Sequence, residues 1–151
     1  MPDLSGKIAM VTGCAGERGV GRAVARRLAA AGADLVLTDV ALQGTRVVAA
    51  MPASPWGGLE AVAAEVRALG RRALTALLDI TVPSRIDAVV ARALEAYGRI
   101  DILVNNAAAP PGRDRVPVVQ LSEEAWDIVL GVNLKGPFLC SRAVAKSMLD
   151  R

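Results

Sequence analysis

The chain has no histidine, and that absence removes every mechanism that needs an imidazole: serine-type triads, histidine-held metals and histidine proton shuttles. Aromatic side chains are almost as scarce, with one Phe, one Tyr and two Trp. So few rings to stack on bases, with 18 basic and 15 acidic residues interspersed along the chain, argue against a nucleic-acid partner. Cysteine is limited to Cys14 and Cys140, which make neither a disulfide framework nor a metal site. No metal is expected, and a reducing cytoplasm is the expected compartment. Arginine and glutamate break up the alanine-rich stretches, so no membrane span is expected, and the N-terminus lacks the apolar core of a signal peptide. What is present is a 151-residue chain, 53% hydrophobic and 22% charged, long enough for one domain with a core and short for two.

The stretch from Met10 to Asp39, MVTGCAGERGVGRAVARRLAAAGADLVLTD, organises the rest. It reads as an apolar strand, a glycine-rich turn, an amphipathic helix and a second strand ending in a carboxylate, which is a β-α-β unit built to hold a dinucleotide. Gly13 lets the chain turn sharply off the strand. Gly19 and Gly21 let backbone approach a pyrophosphate at the helix N-terminus and let helix pack on sheet. Asp39 falls 20 residues after Gly19, where a carboxylate can accept hydrogen bonds from an adenosine ribose. Cys14, inside the turn, reads as a small residue there rather than a nucleophile.

The same pattern then returns. The first helix is expected over Gly19 to Ala31, with Val20, Val24 and Leu28 on one face at four-residue spacing, and the second strand over Asp34 to Asp39. Residues 41–58, with two prolines and three glycines, read as a loop insertion, with a short helix as an option near Arg46 to Met51. In it Trp56 either covers the adenine side of the site or packs on the domain edge. A second helix is expected over Leu59 to Leu69, with Leu59, Val62, Val66 and Leu69 on one face. A strand over Ala73 to Asp79 follows, then a third helix from Pro83 through Tyr97 to Gly98 and a strand over Ile100 to Asn105. Helices closed by glycine, each followed by an apolar strand, predict a doubly wound parallel α/β sheet of order 3-2-1-4. In such a sheet ligands bind beyond the carboxyl ends of the strands, where Gly13, Asp39, Asp79 and Asn106 all fall. Ser122, with Glu123 and Glu124 behind it, caps a last helical stretch that runs to Arg151. Gly131 and Gly136-Pro137 interrupt it, predicting two helices or one bent near Asn133.

Taken together, TGCAGERGVG, Asp39, LLDIT, ILVNNAAAP and GVNLKGPF resemble the short-chain dehydrogenase/reductase family, over Gly6 to Arg151 and in the family's order. The resemblance implies that residues 1–151 are a single NAD(P)-binding Rossmann-type domain, truncated before the fifth strand. It implies that Gly13, Gly19 and Val20 line the pyrophosphate and nicotinamide ribose, that Asp39 takes the adenosine ribose, and that Asp79 and Ile80 contact the adenine. Asn106, Ala107 and Ala108 correspond to the family's Asn-Asn-Ala-Gly turn along the cofactor. From the residues alone, Asn105 and Asn106 also read as a strand-end turn held by side-chain hydrogen bonds, and the two readings are compatible. Asn133 corresponds to the family's catalytic-site asparagine, which holds a helix bend open and orders a water in the proton relay.

Two departures stand out. Five residues separate Gly13 from Gly19 where the common family form has three. The family's reaction is hydride transfer between nicotinamide and a secondary alcohol or ketone, and it uses a Ser and a Tyr with a Lys four residues on. Here the only tyrosine, Tyr97, is followed at that spacing by Asp101 and reads as the buried end of a helix face. The expectation is therefore the cofactor-binding half of an NAD(P)-dependent oxidoreductase acting on a small alcohol or ketone. The alternatives are a non-catalytic dinucleotide-binding or interaction module, and a Rossmann-type methyltransferase, which leaves Asn105, Asn106 and Asn133 unaccounted for. Asp39 repels a 2'-phosphate and favours NAD; Arg18, just before Gly19, is the residue that argues for NADP. By the same resemblance residues 122–150 form the interface of a homo-oligomer, and truncation uncovers Ile128, Val132, Phe138, Leu139 and Val144.

Overall fold

The structure is a computed structural model that describes residues 3–42, 55–110, 112 and 114–149. The suggested short helix over residues 46–51 lies outside the described residues. Strand β1 (Ile8–Thr12) leads into helix α1 (Val20–Ala30), and strand β2 (Asp34–Asp39) is followed by helix α2 (Gly58–Ala68). Strand β3 (Ala73–Leu77), helix α3 (Pro83–Tyr97) and strand β4 (Ile102–Val104) complete the sheet. The four strands are parallel in the order β3-β2-β1-β4, as the alternation of glycine-closed helices and apolar strands predicts.

Both faces of the sheet are covered, which explains why its central strands are apolar without alternation. Met10 and Val36 point to one side, into a core with Ile86, Val89, Ala93 and Val144. Val11, Leu35 and Leu37 point to the other, against Ala25, Val62 and Val66. Met10, Leu35 and Leu37 have no exposed surface, and burial of each such side chain stabilises the fold by about 1.5–3 kcal/mol. Side chains tie the amino ends of the strands. Asp101 accepts from the Ile8 amide at 2.9 Å and pairs with Arg99. Asp34 accepts from Arg72 through its amide at 2.8 Å and its guanidinium at 2.7 Å. With that end clamped, the opposite, carboxyl end is the one that opens.

Several expectations need correction. The buried face of α1 is Gly21, Ala25 and Ala29; Val24 and Leu28 are half-buried and Val20 is 71% exposed. The helix lies so close to the sheet that only small residues fit beneath it. Leu69 caps α2 and is exposed rather than sharing its buried face. Strands β3 and β4 are shorter than expected: β3 ends at Leu77, and β4 spans only Ile102–Val104 of the expected Ile100 to Asn105. Tyr97 is half-buried, its ring under the Arg72 guanidinium at 4.5 Å and its hydroxyl donating to the Leu35 carbonyl.

The last stretch is one helical body: α4 (Glu123–Leu130), a π-helical turn (Gly131–Lys135) and α5 (Gly136–Leu149). The bend expected near Asn133 is this π turn. Continuity across it corrects the membrane expectation on length and composition, since Glu123–Leu149 runs 27 residues with a window of mean hydropathy 1.2. That apolarity is partly used within the fold. Leu139 and Val144 are buried against the α3 side of the core, against the expectation that they lose their cover. Ile128 and Phe138 are exposed, together with Trp126 and Leu134.

Candidate functional site

At the carboxyl ends of the four strands the chain encloses a cavity of about 770 Å³. Its floor is the glycine turn after β1. Gly13 has φ +69, and a Cβ there would lie 2.7 Å from the Ala107 Cα, so the turn needs glycine both for its conformation and for the close approach of the turn after β4. Helix α1 starts above this floor at Gly19, which has no side chain to cap it, and no acidic residue stands in its first turn. The contrast with α4 is direct: Ser122 accepts from the Ala125 amide there, and Glu123 and Glu124 follow. The start of α1 therefore presents backbone N–H groups and the positive end of the helix dipole with no side-chain cap and no acidic residue in its first turn.

The second wall is Asp39, 8% exposed at the end of β2. Its Oδ2 accepts from the Ala15 amide at 2.9 Å and its Oδ1 from the Val40 amide at 2.8 Å. Each oxygen keeps acceptor capacity beyond these bonds, so the carboxylate can serve a bound hydroxyl as well. Cys14, beside it, is fully buried and donates to the Thr38 carbonyl at 3.3 Å. Burial pushes its thiol up to about 12, which bears out the reading as a small packing residue and not a nucleophile. On the third side Asp79 accepts from both the amide and the hydroxyl of Thr81, at 2.9 and 2.6 Å. The hydroxyl bond is the main reason its carboxyl lies below the ordinary value.

The fourth side is the Asn105–Asn106 turn. Asn106 Nδ2 donates to the Thr12 and Gly13 carbonyls, each at 2.8 Å. The Thr12 hydroxyl accepts from the Asn106 and Ala107 amides at 3.1 and 3.0 Å. Asn105 Nδ2 donates to Ser141 Oγ at 3.0 Å, linking the end of β4 to α5. The strand-end reading of these asparagines is thus correct, and the same bonds hold Ala107 and Ala108 along the cavity.

Of the residues singled out in the sequence, Gly13, Gly19, Val20, Asp39, Asp79, Ile80, Asn106, Ala107 and Ala108 line this one cavity. Two do not. Arg18 is exposed at the tip of the glycine turn, and Asn133 sits outside the lining in the π turn. Asn133 does reach the site's edge, its Oδ1 accepting from the Ala109 amide at 2.8 Å. Sequence reasoning missed Thr81, Ala109 and Pro110, and the helical contribution from Asp127, Ile128, Gly131 and Val132. The spacing of those four, across α4 and the π turn, marks one helix face, but no local period shows that this face meets the strand ends. Thr12 was missed as well; a buried hydroxyl directly before Gly13 in an apolar strand was the available signal. Trp56 does not line the cavity. It packs against the α1/α2 side of the core, the domain-edge alternative.

A doubly wound sheet with a glycine turn, an uncapped helix start and an acidic strand end around one cavity defines a Rossmann-type nucleotide-binding domain. The chain belongs to the short-chain dehydrogenase/reductase family, whose short chain dehydrogenase model matches residues 7–151. Sorbitol dehydrogenase of Cereibacter sphaeroides is 36% identical over 146 residues, covering 97% of this chain and 48% of that protein. Among solved structures, a metagenomic short-chain oxidoreductase in complex with NADP superposes with a TM-score of 0.80 at 36% identity, over 97% of this chain and 58% of the other. Carveol dehydrogenase from Mycobacterium avium in complex with NAD gives a TM-score of 0.83 at 29% identity, over 99% of this chain and 52% of the other. The chain spans about half the length of the curated relatives it matches.

Proposed function

We propose that these residues are the cofactor-binding part of an NAD-dependent oxidoreductase that interconverts a secondary alcohol and a ketone. Asp39 is the observation that carries the choice of NAD. Its carboxylate lies on the cavity wall beside the glycine turn, where it accepts from a free ribose 2'-hydroxyl and repels a 2'-phosphate. The uncapped start of α1 fits the diphosphate, because its orphan N–H groups have no side-chain cap. Asp79 and Ile80 stand at the strand end next to Asp39 and fit the adenine side. Asn106 keeps the β1 and β4 ends together, and so keeps Ala107 and Ala108 along the length of the dinucleotide. A bound nicotinamide supplies the hydride donor or acceptor. Relatives named as sorbitol and carveol dehydrogenases support an alcohol as the other reactant.

The chain's own part in that reaction is to bind and to orient. No Tyr-x-x-x-Lys occurs in the 151 residues, and Tyr97, which is not among the cavity-lining residues, donates its hydroxyl to Leu35 near the amino end of β2. Asn133 steadies the rim through Ala109. A smaller cavity of about 280 Å³, lined by Ala109, Pro110 and Ile128 among others, adjoins this rim and would take the substrate end.

Calorimetric titration with NADH and NADPH tests the reading. NADH is expected to bind roughly tenfold or more tightly than NADPH, the difference one like-charge contact makes near a protein surface. NADPH binding as tightly would assign Arg18 the 2'-phosphate and overturn the choice of NAD. Binding of neither would leave the interaction-module alternative.

A further inference from the structure

The glycine turn carries two residues more than the common family form, and a longer turn is a looser one unless something holds it. The structure shows what does. Ala15, in the middle of the turn, is gripped at both ends of its backbone. Its N–H donates to Asp39 Oδ2 at 2.9 Å, and its carbonyl accepts from the indole Nε1 of Trp56 at 2.7 Å. Trp56 arrives from far along the chain, just before α2, and its ring is itself fixed. The Arg22 guanidinium stacks on it at 4.5 Å, and Arg22 is anchored by Glu65, to which its Nε donates at 3.0 Å. Arg22 also donates to the Glu17 carbonyl, so one arginine braces both the ring and the far limb of the turn.

We propose that Trp56 is a positioning residue for the cofactor: its indole N–H sets the peptide frame of Ala15, and with it the shape of the turn that receives the diphosphate. The proposal rests on the dinucleotide reading above. Trp56 acts from outside the cavity, since it is not among the residues that line it. Asp39 has two roles on this account, one toward the ribose and one as the opposite arm of the same clasp. Removing the indole N–H while keeping a ring under Arg22 isolates the clasp from the packing.

The test is Trp56→Phe. Calorimetry with NADH is expected to show binding weakened about three- to tenfold, the effect of one lost hydrogen bond. Adenosine, which lacks the diphosphate, is expected to bind the variant and the unsubstituted protein alike. Hydrogen–deuterium exchange of residues 14–19 is expected to accelerate, with the thermal midpoint lowered by no more than a few degrees. Unchanged NADH affinity, or an equal loss for adenosine and NADH, would overturn the proposal and leave Trp56 as packing alone. If the unsubstituted protein binds no NADH, the cofactor reading fails and the positioning role with it. The exchange comparison would then still decide whether Trp56 holds the turn. Trp56→Ala, which removes the ring as well, is expected to lower the thermal midpoint further, separating loss of packing from loss of the clasp.

Discussion

At position 21 the absence of a side chain decides how closely α1 lies on the end of β1. A Cβ there would stand 2.5 Å from the Gly13 carbonyl oxygen, 2.6 Å from Asn106 Nδ2 and 2.9 Å from the Cys14 Cα. None of these can yield easily, because two are backbone and the third is committed to the Thr12 and Gly13 carbonyls. Gly21→Ala must therefore push α1 away from the sheet, and overpacking of this kind costs about 1–3 kcal/mol. Urea unfolding is expected to show that loss, with weakened NADH binding in the same variant. A fully stable Gly21→Ala would mean that the helix is free to shift. At Gly19 the same change meets only the Gly16 carbonyl, at 3.2 Å, so the milder variant is expected there. The spacing of these glycines was legible in the sequence, and so were Asp39 and Asp79, because each sits at the end of a strong local pattern. The partners were not. Thr12 with Asn106, and Ala15 with Trp56, are contacts between distant parts of the chain that no local period reveals.

Among the elements, the π turn joins the sheet to the last helix. Gly136 closes it, and a Cβ there would come within 2.5 Å of Ile80 Cδ1, so the turn is seated against the loop after β3. Asn133 holds the other side through the Ala109 amide. Removing that acceptor leaves an N–H that water can reach, so Asn133→Ala should cost little global stability, of the order of 0.5–1.5 kcal/mol. The local effect is expected to be larger. Exchange of residues 131–136 and of Ala109 should accelerate while the amides of β1 and β2 keep their protection; uniform protection throughout would remove Asn133 as the tether. Gly131 and Gly136-Pro137 announced an interruption in the sequence. Its form as a π turn, and not a break between two helices, depends on Ile80 and Ala109, which come from other elements. The face of α1 was misread for a related reason. Valine and leucine outrank alanine in hydrophobicity, but the helix sits too near the sheet for them, and Gly21, Ala25 and Ala29 take the buried stripe.

For the whole molecule, the missing histidine and the placement of the carboxylates and thiols together shape stability against pH. Four carboxylates of the described residues titrate below their ordinary values in the folded chain, the exposed Asp3 through its bonds from Ser5 and three others. Burial works to raise Asp34, but the bonds and charge from Arg72 outweigh it. The Arg22 hydrogen bond lowers Glu65, and the Thr81 hydroxyl lowers Asp79. The unfolded chain thus binds protons that the folded chain does not, at ordinary carboxylate values of about 4. The stability these groups contribute is complete above that range and is lost as pH falls through their folded values. The thiols act with the opposite sign. Burial raises Cys14 to about 12 and Cys140 to about 11, so both stay protonated in the fold while an unfolded thiol ionises from about 8.5. Their contribution is complete below that value and declines as pH rises toward the folded ones. With no imidazole to titrate between the two ranges, unfolding free energy should form a plateau from about pH 5.5 to 8, falling on both sides. Urea unfolding across pH checks the shape, and Cys14→Ala should flatten part of the alkaline limb without moving the acid one. A slope inside the plateau would show that some other group of the fold titrates in the neutral range and would overturn this account.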